Sequence, residues 1–78
     1  MLTRDILLER MKERGFTNRS LADKLGYKYA SSISERLRNK KEMRVDNLVQ
    51  MLEAMDCELV VRSTTLPKKE WVITTEEA

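Results

Sequence analysis

The 78-residue chain is 41% hydrophobic and 36% charged, with 15 Lys/Arg against 13 Asp/Glu, one cysteine and no histidine. That length is a single-domain length and buries a modest core, so self-association is a natural way to enlarge it. The composition excludes a Ser-His-Asp or Cys-His catalytic pair, an internal disulfide, and a thiolate or imidazole zinc site.

No apolar run approaches the ~20 residues of a membrane span, and no charged-then-apolar leader opens the chain. A cytoplasmic location without membrane association is expected. Glycine occurs only at positions 15 and 26, so neither GxGxxG nor a P-loop can be written. Asp5, Glu9 and Glu13 recur every four residues, as on a solvated helix face. Neither an enzyme nor a cofactor site is expected.

The net charge of +2 conceals an asymmetry. Residues 1–44 carry 12 Lys/Arg and 6 Asp/Glu (+6), whereas residues 45–78 carry 3 and 7 (−4). A basic front half fits a polyanionic partner.

In chain order, Leu2–Arg14 reads as an amphipathic helix. Leu7, Leu8 and Met11 share its apolar face, flanked by Leu2 and Ile6, and Gly15 stops it. Phe16 anchors the turn. Thr17 is a candidate N-cap for a second helix to Leu25, with Leu21, Ala22 and Leu25 as its inner stripe and Gly26 at its end. Tyr27 packs on the helices with its hydroxyl in water.

A third helix runs from about Ala30 to Arg38 or Asn39, with Ile33 and Leu37 facing inward. Ser31, Ser32, Glu35 and Arg36 are left outside, with Ser34 open to either side. After the polar loop Asn39–Glu42, a fourth helix carries Val45, Leu48, Leu52 and Met55 at helical spacing, and Met43, Met51 and Met55 read as core fillers. The period then shortens. Residues 57–63 and 70–75 read as two strands joined by a connection of hairpin length.

Two short helices joined by a glycine turn form a helix-turn-helix unit. Phe16-Thr17, Leu21-Ala22, Leu25-Gly26, Ile33-Ser34 and the helix Val45–Met55 resemble the Cro/phage-repressor (XRE-type) helix-turn-helix family over roughly residues 4–62. The strand pair resembles that of small prophage regulators and, more loosely, HipB-like antitoxins. The chain departs from the family pattern in four ways. Ile33 stands seven residues after the turn glycine, Leu37 follows Ile33 by four residues where three is usual, Asp56 stands where glycine is usual, and Ala30, Ser31 and Ser32 replace the common glutamines.

The resemblance implies a mainly α fold, a four-helix DNA-binding domain over residues 1–56 followed by a β-hairpin and acidic tail over 57–78. It implies a dimeric transcriptional repressor on a palindromic duplex operator, with no metal. An antitoxin-like or other module that binds a protein partner, such as a toxin, and autoregulates through the same helix-turn-helix is the alternative, and an RNA-binding protein lacks the stacking aromatics it would need. Base contacts are then expected from Tyr29, Ala30, Ser31, Ser32 and Arg36. The backbone at the small residues can approach the major groove, unless Ser31 or Ser32 simply caps the helix. Phosphate contacts are expected from Thr17, Asn18, Arg19, Lys28, Arg38, Lys40, Lys41 and Arg44, the last four forming either a phosphate clamp or a solvated loop. Leu59, Val61, Trp71 and Ile73 are the expected dimer contacts, with hairpin packing as the other role open to Trp71.

Overall fold

A computed structural model describes residues 2–38 and 43–75. Among them the chain forms four helices and a two-stranded antiparallel hairpin: α1 (Thr3–Arg14), α2 (Asn18–Leu25), α3 (Ser31–Arg38), α4 (Val45–Ala54), β1 (Leu59–Arg62) and β2 (Glu70–Ile73). No helix among the described residues is long and apolar enough to cross a membrane.

The helix boundaries follow from local chemistry. Asp5 in the first turn of α1 and Lys12 and Arg14 in its last turn complement the helix dipole. Thr17 caps α2 in a reciprocal box: the Ser20 N–H donates to Thr17 Oγ1 at 3.0 Å and the Thr17 N–H to Ser20 Oγ at 2.9 Å.

α1, α2 and α4 terminate alike. Gly15 and Gly26 adopt left-handed φ of 73° and 80°. The next amide reaches back five residues in each case, Phe16 to the Met11 carbonyl and Tyr27 to the Ala22 carbonyl, both at 2.8 Å. At the end of α4 the Cys57 N–H reaches the Leu52 carbonyl at 2.8 Å, and Asp56 takes the left-handed position at φ 61°. Phe16, Tyr27 and Cys57, each just past its turn, pack their side chains on the core.

The core is built from Leu7 and Met11 of α1, Leu21 and Ala22 of α2, Ile33 and Leu37 of α3, and Leu48, Met51 and Leu52 of α4, with Met55 beyond it. α2 packs against both α3 and α4, and α1 packs against α4. Ala22 is fully buried in α2. Its short side chain suits a close helix crossing.

Two apolar expectations are corrected. Leu8 is exposed: it lies a hundred degrees around the helix from Leu7, and the buried residues of α1 are Leu7 and Met11. Val45 is also exposed at the first turn of α4, while Val49, off the expected stripe, is fully buried.

Leu59 pairs with Ile73, Val60 with Val72, Val61 with Trp71, and Arg62 with Glu70. Directly opposed residues share a sheet face, so Leu59, Val61, Trp71 and Ile73 lie on one face and Val60 and Val72 on the other. The base of the first face sits against the helices: Leu59 packs on the core and Ile73 is half-buried. Thr75 Oγ1 donates to Glu53 Oε1 at 3.0 Å, joining the end of the hairpin to α4.

Candidate nucleic-acid interface

The outer surface of α3 is set by its buried stripe. With Ile33 and Leu37 inward, helical geometry puts Glu35 diametrically opposite, with Ser31 and Arg38 on one side of it and Ser32 and Arg36 on the other. Ser31, Glu35 and Arg38 are exposed; Ser32 and Arg36 are half-buried at the edge. Neither the Ser31 nor the Ser32 hydroxyl makes a hydrogen bond among the described residues, whereas Ser34 Oγ donates to the Ser31 carbonyl at 3.2 Å. The helix is thus entered without a side-chain cap, and both hydroxyls at its amino end stay available to a partner.

Lys28, Tyr29 and Ala30 lead into this end. Tyr29 is 59% exposed, and the Lys28 ammonium lies 5.5 Å from the centre of its ring. Arg36 is held at the edge. Its guanidinium stands 4.7 Å from the centre of the Tyr27 ring, and its Nη1 donates to the Tyr27 hydroxyl at 2.7 Å. That hydroxyl donates in turn to Gln50 Oε1 at 2.9 Å. The Tyr27 hydroxyl, expected at the solvent, also links α3 to α4, and its bond to Gln50 is exposed. The link joins residues 9 and 23 positions apart, so no local pattern announces it.

Thr17 is committed to its cap, and Asn18 is half-buried. Arg19 pairs with Asp23 one turn later, its Nε donating to Oδ1 at 3.0 Å, and its Nη2 reaches the Tyr27 and Lys28 carbonyls at 3.5 Å. Arg19 therefore braces the turn that delivers α3, and only its exposed edge is free for an anion. Arg38 is exposed, and the Arg44 side chain, 81% exposed, stands 3.4 Å from Asp46. At that exposure the pair is weak and Arg44 remains open to other anions. Lys40 and Lys41 lie outside the described residues; Arg38 and Arg44 flank their segment.

The structure brings Lys28, Tyr29, Ala30, Ser31, Ser32 and Arg36 into one run along the entry and outer face of α3. Glu35, which the expected base-contact set left out, occupies the centre of that face. Its position opposite the Ile33–Leu37 stripe was the available signal, and a carboxylate there can accept from a cytosine amino group. The four expected dimer residues divide: Leu59 and Ile73 lie toward the helices, whereas Val61 (47%) and Trp71 (53%) are exposed further along the same face.

No protein-family model, no curated protein and no solved structure matches this chain.

Proposed function

We propose that this chain is a dimeric, sequence-specific duplex-DNA-binding transcriptional regulator of the Cro/phage-repressor (XRE) type, acting as a repressor by occupying its site. In this reading α2 and α3 are the helix-turn-helix pair, and α3 lies in the major groove. The observation that carries it is the outer face of α3, with two serine hydroxyls at its amino end that no described residue engages and Glu35 and the stacked Arg36 further along. A groove about 12 Å wide admits a helix whose leading residues are this small.

Arg36 suits base recognition because Tyr27 already restricts its rotamers. A guanidinium has five donors, and the one hydrogen bond to Tyr27 leaves a fork for guanine O6 and N7. Lys28 and Arg38, with Lys40, Lys41 and Arg44 around the following loop, supply phosphate contacts.

Dimerisation is assigned to the hairpin. An isolated two-stranded ribbon is marginal in water, and Val60, Val61, Trp71 and Val72 leave apolar surface on both of its faces. Pairing across a two-fold axis covers that surface and sets two copies of α3 on groove faces about 34 Å apart. The same exposed residues favour the second reading, an antitoxin-like module whose hairpin holds a different protein. Sedimentation of the purified chain at micromolar concentration separates the two, since the first requires a dimer without any partner.

The functional test is selection of duplexes from a random pool by the purified chain. An enriched two-fold symmetric motif is the expected result; a pool that stays random after repeated rounds refutes sequence-specific binding.

A further inference from the structure

The acidic second half of the chain, residues 45–78, has Arg62, Lys68 and Lys69 as its only cations. Folding collects all of them at the outer end of the hairpin. Arg62 closes β1, and Lys68 and Lys69 directly precede β2. With Ser63, Thr64 and Glu70 they line one open concavity of about 680 Å³. All three are exposed. Although Glu70 sits opposite Arg62 in the ladder, none of the three forms an ion pair among the described residues.

The tip that carries them is wired by its backbone. The Ser63 N–H donates to the Lys69 carbonyl at 2.9 Å, the Lys69 N–H donates to Ser63 Oγ at 2.7 Å, and Ser63 Oγ donates to the Pro67 carbonyl at 3.0 Å. Lys68 Nζ donates to the Thr64 carbonyl at 3.3 Å. At the apex Leu66 is 84% exposed, more than any other large apolar side chain described.

Gathering unpaired cations on a small ordered loop carries a repulsive cost that an anionic partner removes. The chemistry narrows that partner. The concavity is open and has no buried polar group with which to hold a lone phosphate. None of its lining residues is aromatic, so it offers no platform for unpaired bases. Spaced exposed cations around an apolar apex suit the regularly spaced phosphates of a duplex and the floor of its minor groove. The molecule measures 44 Å along its longest axis, against a roughly 34 Å rise for one duplex turn.

We infer that the hairpin tip is a second duplex-DNA contact, with Arg62, Lys68 and Lys69 on phosphates outside the groove occupied by α3. The inference rests on the reading of the chain as a duplex-DNA binder.

The test is the full-length double variant Lys68→Gln/Lys69→Gln, titrated with the selected duplex and with a random duplex across a salt series. The log–log salt slope is expected to fall by about 1.8, at about 0.9 for each phosphate no longer neutralised, with both duplexes weakened in parallel. A parent that binds its selected duplex alongside a variant with the same slope and affinity overturns this inference alone, and leaves the tip to an acidic protein. A parent that binds no duplex overturns the functional reading and this inference with it. If the variant sediments differently from the parent, a photo-crosslinking residue at position 66 of the full chain decides: a crosslink to a DNA strand supports the contact and its absence overturns it.

Discussion

Arg36 rests on Tyr27 twice over, through the ring face and through the hydroxyl, and the hydroxyl continues to Gln50 on α4. The proposed reading helix is thus clamped to the body of the fold by the same side chain that is proposed to read a base. Arg36→Ala is expected to change the selected motif at one position, since a bidentate arginine–guanine pair gives about 1–3 kcal/mol of discrimination. Tyr27→Phe keeps the ring and removes both hydroxyl bonds. It should cost about 1 kcal/mol in denaturant unfolding while leaving the motif unchanged. An Arg36→Ala protein that selects the parental motif has Arg36 in a structural role only.

The capping box at the start of α2 makes a second expectation. Thr17→Ala should destabilise the chain by about 1 kcal/mol. Ser20→Ala should cost less, because Ser20 lies inside α2, where alanine's helix propensity offsets part of the lost bond. The two losses should fall short of additive, because both bonds hold the same first turn and losing either loosens the geometry of the other. Urea midpoints of the two single variants and the double variant check this; strict additivity would mean that the two bonds are independent.

Asp56 occupies a left-handed position that glycine normally fills, and Arg14 Nη2 donates to its carboxylate at 2.7 Å. Both side chains are about half exposed, so the ion pair itself contributes little. Asp56→Asn, which also tolerates this conformation, should therefore change stability by less than about 0.5 kcal/mol. Asp56→Val, β-branched at φ 61°, should cost about 2 kcal/mol. Equal losses for both variants would assign the cost to the ion pair and not to the backbone.

Neutralising Lys40 and Lys41 together should reduce the salt slope of duplex binding by about 1.8 and weaken selected and random duplexes alike. An unchanged slope removes this loop from the proposed interface.

The helix ends at Gly15 and Gly26 were legible in the sequence, because a left-handed residue after an apolar period has one common solution. At Asp56 the place of the turn was legible from the family pattern, but its contact with Arg14, 42 residues away, was not. Periodicity placed Leu7, Met11, Leu21, Ile33, Leu37 and Leu52 in the core. It overreached at Leu8 and Val45, where no neighbouring element covers the helix, since a period reports a face and not its width.

The outer residues of α3 were likewise legible by subtraction from its buried stripe. The Arg36–Tyr27–Gln50 chain and the tie from Arg19 to the Tyr27 and Lys28 carbonyls were not, because they join residues from separate elements through single hydrogen bonds. The cation cluster at the hairpin tip was not legible either, because Arg62 and Lys68 become neighbours only when the strands pair.

The measurement that bears most directly on the central claim is the ratio of affinities of the full chain for its selected duplex and for random duplex at physiological salt, repeated with Ser32→Glu. The account predicts a parental ratio of about 10³ or more. It predicts that Ser32→Glu, which sets a carboxylate at the amino end of α3, collapses the ratio while α-helical content and unfolding midpoint stay near the parent's. A parental ratio near one, or a Ser32→Glu protein that discriminates as well as the parent, contradicts it.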